Sequence, residues 1–121
     1  MNGNDFLSLL LSEFPTLTPD VQEQDGLLHV QMHVFTRHTQ AAIDSGDMQA
    51  LHRCFALAHQ GFRDADSDLK NAFFVSYLEH LDFVGTHGVA SKRRMTPLLQ
   101  AGFSAIMDYM EQLSRSSKKR K

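Results

Sequence analysis

The stretch "LLHVQMHVFTRH", Leu27–His38, fits both a strand and a helix. The predicted fold class depends on which of the two it forms. Apolar and polar residues alternate from Leu28 to Val34, which is the pattern of a half-buried strand. A strand needs a partner for its backbone hydrogen bonds, and the sequence contains no second convincing alternating run. Continued to residue 44, the same residues form two adjacent apolar stripes at helical spacing. We therefore predict a long helix over about residues 26–44.

The rest of the chain repeats the helical pattern between turns rich in glycine, proline and aspartate. Further helices are predicted from an N-cap at Asn4 to Pro15, from a start at Thr18–Pro19, from Met48 to about Gly61, from about Ser67 to Phe83, and from Thr96–Pro97 onward. Residues 85–95, with Gly85 and Gly88 ending the preceding helix, are predicted as a loop or a short helix. The connections are short, which favours antiparallel neighbours. The sequence thus predicts an all-α protein, an antiparallel bundle of about five helices forming one domain over residues 1–114.

Charge is distributed unevenly along the chain. Residues 1–91 hold four basic and twelve acidic residues, whereas residues 92–121 hold eight basic and two acidic ones. An apolar seam is predicted along the last helix, formed by Leu99, Phe103, Ile106, Met110 and Leu113. The following residues 115–121 contain no apolar side chain, so we predict a basic tail that is frayed or disordered.

The composition favours a protein of the reducing cytoplasm. Cys54 is the single cysteine among 121 residues and cannot form an intrachain disulfide. The N-terminal residues lack the basic start of a secretion signal, and no apolar run has the length of a membrane span. We therefore expect a cytoplasmic protein that does not cross a membrane.

Two groups of residues raise the question of catalysis or metal binding. His29 and His33 are one helical turn apart, and His52 and His59 are two turns apart on another predicted helix. A zinc site needs three or four ligands, and the chain has no established zinc-binding motif, so we expect neither a metal nor another cofactor. Cys54 lies mid-helix among apolar residues, which favours a small buried side chain over a nucleophile. A metal-dependent enzyme or sensor built on the four histidines is the alternative hypothesis.

Acidic residues at two consecutive turns form a candidate partner-binding surface. Its members are Asp44, Asp47, Asp64, Asp66 and Asp68. Some of them are expected to cap helices, and the others would attract a basic protein partner. The basic clusters near the C-terminus have no interleaved aromatic residues, and the acidic remainder of the chain opposes a polyanion, so nucleic acid is not the expected partner. A second candidate is a polar network of Asn71, Ser76 and Glu79 on an otherwise apolar helix.

The chain resembles a family of small helical bacterial proteins of unassigned function. The resemblance rests on "LLSEFPTL", Leu10–Leu17, and "DLKNAFFVSYLEHL", Asp68–Leu81, which match the pattern F-P-x-L followed by S-[FY]-L-E-x-L. It covers roughly residues 5–84 and brings no catalytic residues. The family is loosely associated with the immunity proteins that accompany bacterial toxins. The sequence and the resemblance together predict a non-enzymatic protein-binding module, with an immunity-type protein that occludes a toxin as its most specific form. Neither predicts an oligomeric state.

Overall fold

The computed structural model describes the backbone of residues 1–119 and the side chains of residues 1–116. Within this part the chain forms helices and no strands, which confirms the all-α prediction. The α-helices are α1 Gly3–Glu13, α2 Thr18–Glu23, α3 Leu28–Ser45, α4 Met48–Asp64, α5 Ser67–Ala72, α6 Gly85–Lys92 and α7 Pro97–Lys119. Two 3₁₀ turns, Pro15–Leu17 and Leu78–His80, and a π-helix, Phe73–Tyr77, complete the fold. The described residues thus contain seven α-helices, whereas the sequence predicts a bundle of about five.

The stretch that fitted both a strand and a helix is helical, as predicted. It begins α3 at Leu28, directly after a turn in which Gly26 has a φ of 81°. One of the two apolar stripes faces the core, and its buried members are Met32, Phe35, Thr39 and Ala42. The other stripe contributes Val34 to the core but leaves Leu27 and Val30 exposed.

The predicted helix starts are partly corrected by the hydrogen bonds at the helix ends. Asn2, not Asn4, caps α1, and it forms a capping box with Asp5. Thr18 lies inside α2, where its hydroxyl donates to the carbonyl of Pro15. At α7 the prediction is confirmed, since the Thr96 hydroxyl accepts from the backbone N–H of Leu99.

The predicted helix over residues 67–83 is shorter and less regular than expected. It passes from α5 into the π-helix Phe73–Tyr77 and the 3₁₀ turn Leu78–His80, and the chain becomes extended at Leu81. The aromatic cluster around this segment explains the change. Phe73 contacts Phe6 edge-on with ring centroids 4.9 Å apart, and Tyr77 stacks on Phe35 at 4.7 Å. An extra residue in the helical turn lets both rings enter the same core.

The two glycines expected to end this helix instead belong to the next one. Gly85 is the first residue of α6 and has a φ of 86°, a conformation that favours glycine. Gly88 packs directly on the backbone of Phe83, where a Cβ atom would collide with the Phe83 carbonyl. Of the two alternatives left open for residues 85–95, the short helix is therefore correct for Gly85–Lys92.

The last helix continues into the segment predicted to be a disordered tail. Helix α7 extends through Lys119, and Arg115 pairs with Glu111 one turn earlier at 2.7 Å. Such pairs and the helix-favouring lysine and arginine side chains support helix formation at little energetic cost. A disordered tail beginning at residue 115 is therefore not confirmed, and residues 120–121 lie outside the described part.

The core is one apolar cluster to which α1 to α5, the π-helix and α7 contribute, whereas the buried residues of α6 are Gly88 and Ser91. Its aromatic centre lies where α1, α3, α4 and the π-helix meet. In the described residues, every helix is either too short or too polar to cross a membrane.

Candidate functional sites

Two of the four candidate histidines lie beside the π-helix. His29, His33 and Arg37 follow one another at one-turn intervals along α3. The His33 ring contacts His80 edge-on, with ring centroids 5.0 Å apart. His29 Nδ1 lies 2.7 Å from the Ser76 hydroxyl oxygen, so this histidine is tied to the π-helix. His80 follows His33 by 47 positions in the sequence. It thus joins a group that the spacing of the histidines did not predict.

The other two candidate histidines lie on α4. His59 Nδ1 is 2.7 Å from the Thr96 hydroxyl oxygen, where it links α4 to the start of α7, and His52 is exposed. The structure therefore does not bring the four histidines together. Among the described residues, no three histidine, cysteine, aspartate or glutamate side chains are grouped as metal ligands would be.

Cys54 is buried on α4, as the sequence predicted. Burial raises the pKa of its thiol to about 11, and the hydrogen bond with Thr39 only partly offsets this effect. Since the thiolate is the nucleophilic form, Cys54 is poorly suited to covalent catalysis.

The five aspartates of the candidate acidic surface lie in two groups. Asp44, in the last turn of α3, and Asp47, the N-cap of α4, lie near the start of α4, whereas the other three lie where α4 ends and α5 begins. A 17-residue helix separates them by about 25 Å. Asp47 and Asp66 accept backbone N–H groups as the N-caps of α4 and α5, and Asp64 pairs with Arg63 at 2.9 Å. The aspartates thus form two small patches, and helix capping accounts for one aspartate in each patch.

The candidate polar network has one buried member. Ser76 is buried, and its hydroxyl lies against His29 while its carbonyl accepts the Thr36 hydroxyl at 2.6 Å. Glu79 is half-buried, and Asn71 is exposed on α5. The observed hydrogen bonds therefore connect Ser76 to α3, and they do not connect it to Asn71 or Glu79 within the described chain.

The exposed end of α7 is the largest departure from the predicted apolar seam. Leu99 and Ile106 are buried, but Tyr109, Met110 and Leu113 are 56%, 39% and 46% exposed. These three lie on one side of the helix, and in the earlier turns of α7 that side faces the core. The charged residues of the same segment, Asp108, Glu111 and Arg115, fall within about 60° of arc on the opposite side. We call residues 108–116 the α7 extension, and its apolar side has no cover within the described residues.

A groove between α6 and the first half of α7 precedes this extension along the helix. It has a volume of about 530 Å³, and its apolar lining includes Phe83, Val89 and Phe103. Lys92 and Arg93 stand at its edge, and the Lys92 ammonium lies 5.3 Å from the centre of the Phe103 ring. The apolar lining of this groove is therefore bordered by basic side chains.

Comparison with known proteins connects the chain to one family. No curated protein and no solved structure matches it. Residues 7–115, nearly the whole described chain, match a family described as a domain of unknown function, DUF7674. This agrees with the expected membership of an uncharacterised family, and the chain belongs to the DUF7674 family.

Proposed function

We propose that this protein is a non-enzymatic protein-binding module whose docking surface is the apolar side of the α7 extension. The observation that carries the proposal is the continuation of the core-facing seam of α7 into solvent, with Tyr109, Met110 and Leu113 exposed together. Single exposed apolar residues are ordinary, but three on one helix side with the charges opposite are typical of helix-in-groove recognition.

The charges around this surface indicate the kind of partner. Lys92 and Arg93 border the adjacent groove, and residues 92–121 hold eight basic residues against two acidic ones. A partner with an apolar groove or helix edged by acidic residues would complement both features. An immunity-type role, in which the partner is a toxin, is the most specific form of this proposal, and the acidic patches at the ends of α4 are then a second contact for its basic side chains.

Helix α7 offers a matched pair of variants for testing the docking surface. Met110→Glu combined with Leu113→Glu places charge on the apolar side. Gln112→Glu adds charge to the same exposed segment outside that side. Because all three positions are exposed, both variants are expected to fold as the parent does, which circular dichroism and thermal unfolding will verify.

The experiment measures binding of purified candidate partners, starting with the product of any toxin gene adjacent to this one. We expect a partner to bind the parent and the Gln112→Glu variant, and to lose at least about tenfold in affinity with the double variant. Equal binding by all three proteins would refute the role of α7. Light scattering on the protein alone provides a further check, since a dimer that dissociates in the double variant would make a second copy the occupant and contradict the proposal.

A further inference from the structure

A small pocket on α3 gathers three basic side chains from two elements. Its volume is about 200 Å³, and it is lined by His33, Thr36, Arg37, Gln40 and His80. The first four come from α3, and His80 comes from the 3₁₀ turn Leu78–His80 that follows the π-helix. This pocket is distinct from the α7 extension and is not used in the proposed protein binding.

The two neutral side chains of the pocket are already occupied by hydrogen bonds. The Thr36 hydroxyl is shared between the carbonyls of Met32 and Ser76. The Gln40 amide donates to Asp44 and to the carbonyl of Asp82, and its oxygen accepts the Asp82 backbone N–H. These bonds hold the wall of α3 against the segment that carries His80.

The three basic side chains, in contrast, have unused donors. Within the described residues, His33, Arg37 and His80 make no side-chain hydrogen bond and no ion pair. Arg37 is permanently charged and keeps its N–H donors in a planar fork. Three donors that converge on one cavity without a partner are the arrangement that an anionic ligand completes.

The charged groups that act on His33 are all basic. The pKa of His33 is lowered, first by burial and then by repulsion from His80, Arg37 and His29, and no acidic side chain opposes this effect. Glu79 is the chain neighbour of His80, but successive side chains of a 3₁₀ helix point about 120° apart. An anion bound in the pocket next to both rings would relieve the repulsion and favour the protonated imidazoles.

We propose that this pocket binds a phosphate group, either as inorganic phosphate or as the phosphomonoester of a small molecule. The Arg37 guanidinium would donate to two phosphate oxygens, and His33 and His80 would each donate a ring N–H. The π-helix supports the proposal because such helices occur frequently at functional sites, and here Ser76 fixes it to α3 through His29 and Thr36.

The test is a histidine-ring NMR titration of the full chain with inorganic phosphate, and separately with phenyl phosphate, against sodium chloride at equal ionic strength. We expect phosphate to shift the His33 and His80 resonances, to leave His52 unaffected and to raise the pKa of His33. Arg37→Gln should weaken binding at least about tenfold, because it removes charge-assisted hydrogen bonds. Arg94→Gln, which removes one exposed positive charge elsewhere, serves as the control.

The possible outcomes distinguish inorganic phosphate, a small phosphomonoester and the absence of a phosphate site. Tighter binding of phenyl phosphate identifies a small phosphomonoester, whereas equal or tighter binding of the inorganic ion identifies free phosphate. If neither probe shifts His33 and His80 beyond the effect of chloride, or if Arg37→Gln and Arg94→Gln weaken binding equally, the pocket is not a phosphate site.

Discussion

At the scale of single residues, the core contains a buried polar pair that the aromatic cluster encloses. The Tyr77 hydroxyl is fully buried and lies 3.0 Å from the Thr39 hydroxyl, which also meets the thiol of Cys54. Burial raises the pKa of Tyr77 well above its usual value. Removal of one buried polar group leaves its partner without a hydrogen bond. This lowers the free energy of unfolding more than the loss of a hydrogen bond at the surface does.

Replacement of Thr39 by valine is therefore expected to destabilise the protein by about 1–3 kcal/mol. The shape of the side chain is nearly kept, but the Tyr77 hydroxyl loses its partner. Urea unfolding measures the effect. The double variant with Tyr77→Phe should recover part of the loss, because neither side of the pair is then left unpaired. If the losses of the two single variants simply add in the double variant, the hydroxyls do not interact as described.

Two buried glycines differ in how much space surrounds them. At Gly61 on α4, a Cβ atom would lie 2.6 Å from the Phe6 ring and 2.8 Å from the Phe73 ring, whereas at Gly102 on α7 the nearest atoms of Leu78 and Phe62 are 3.1 Å away. We expect Gly61→Ala to destabilise by about 1–3 kcal/mol through overpacking. Gly102→Ala should cost much less, because alanine favours the helix and the neighbours need only a small adjustment. Thermal unfolding of both variants decides this, and equal effects would be inconsistent with the packing described.

Stability is expected to fall on acidification below pH 6.5. The pKa of His33 is lowered by burial and by His80, Arg37 and His29, and that of His38 by burial and by Arg53. Between these lowered pKa values and pH 6.5, the unfolded chain therefore binds more protons than the folded protein does. The free energy of unfolding consequently has its full value above pH 6.5 and decreases as the pH falls through this range. Urea unfolding in phosphate-free buffers should show a smaller loss for His33→Gln than for the parent. A loss of the same size in both would exclude a contribution from His33.

At the scale of elements, the sequence predicts those helices whose apolar pattern is long and regular. Helices α3 and α4 lie close to their predicted bounds because their own residues specify an amphipathic helix. The π-helix and the 3₁₀ turn were missed because contacts with Phe6 and Phe35, distant in sequence, determine that backbone. The pocket at His33 could not be predicted from the sequence for the same reason. The contact of His33 with His80 exists only after α3 packs on this irregular segment.

The α7 extension is an element that adds little to the core. Residues 108–116 are all exposed, whereas Ile106 is buried and Met107 packs against the apolar cluster. A chain ending at Met107 is expected to unfold at nearly the same urea concentration as the full chain, because little apolar area is lost. The same chain should not bind the proposed protein partner. A large loss of stability would show that the extension is part of the folded core and not a free docking element.

At the scale of the whole molecule, the acidic and basic residues are separated along the chain. The acidic excess belongs to residues 1–91, which include α1 to α5, and the basic excess belongs to residues 92–121, which include α7. A charge separation of this kind affects the choice of partner more than the fold. It directs an acidic partner to the α7 side, and it makes a nucleic acid a poor ligand because the net negative charge of residues 1–91 repels a long polyanion.

This gives a prediction about nucleic acid that also tests the choice of a protein partner. The basic residues beyond position 114 number five, so they would neutralise at most about five phosphates, and any such binding would decrease steeply with salt. We expect the full chain to shift DNA or RNA weakly at low salt and not at all at physiological salt. Removal of residues 115–121 should change this little and should leave the free energy of unfolding almost unaltered. Gel-shift assays on both chains, with urea unfolding as the folding control, make the comparison. Tight binding by the full chain that disappears on truncation would instead establish a nucleic acid as the partner of this basic segment.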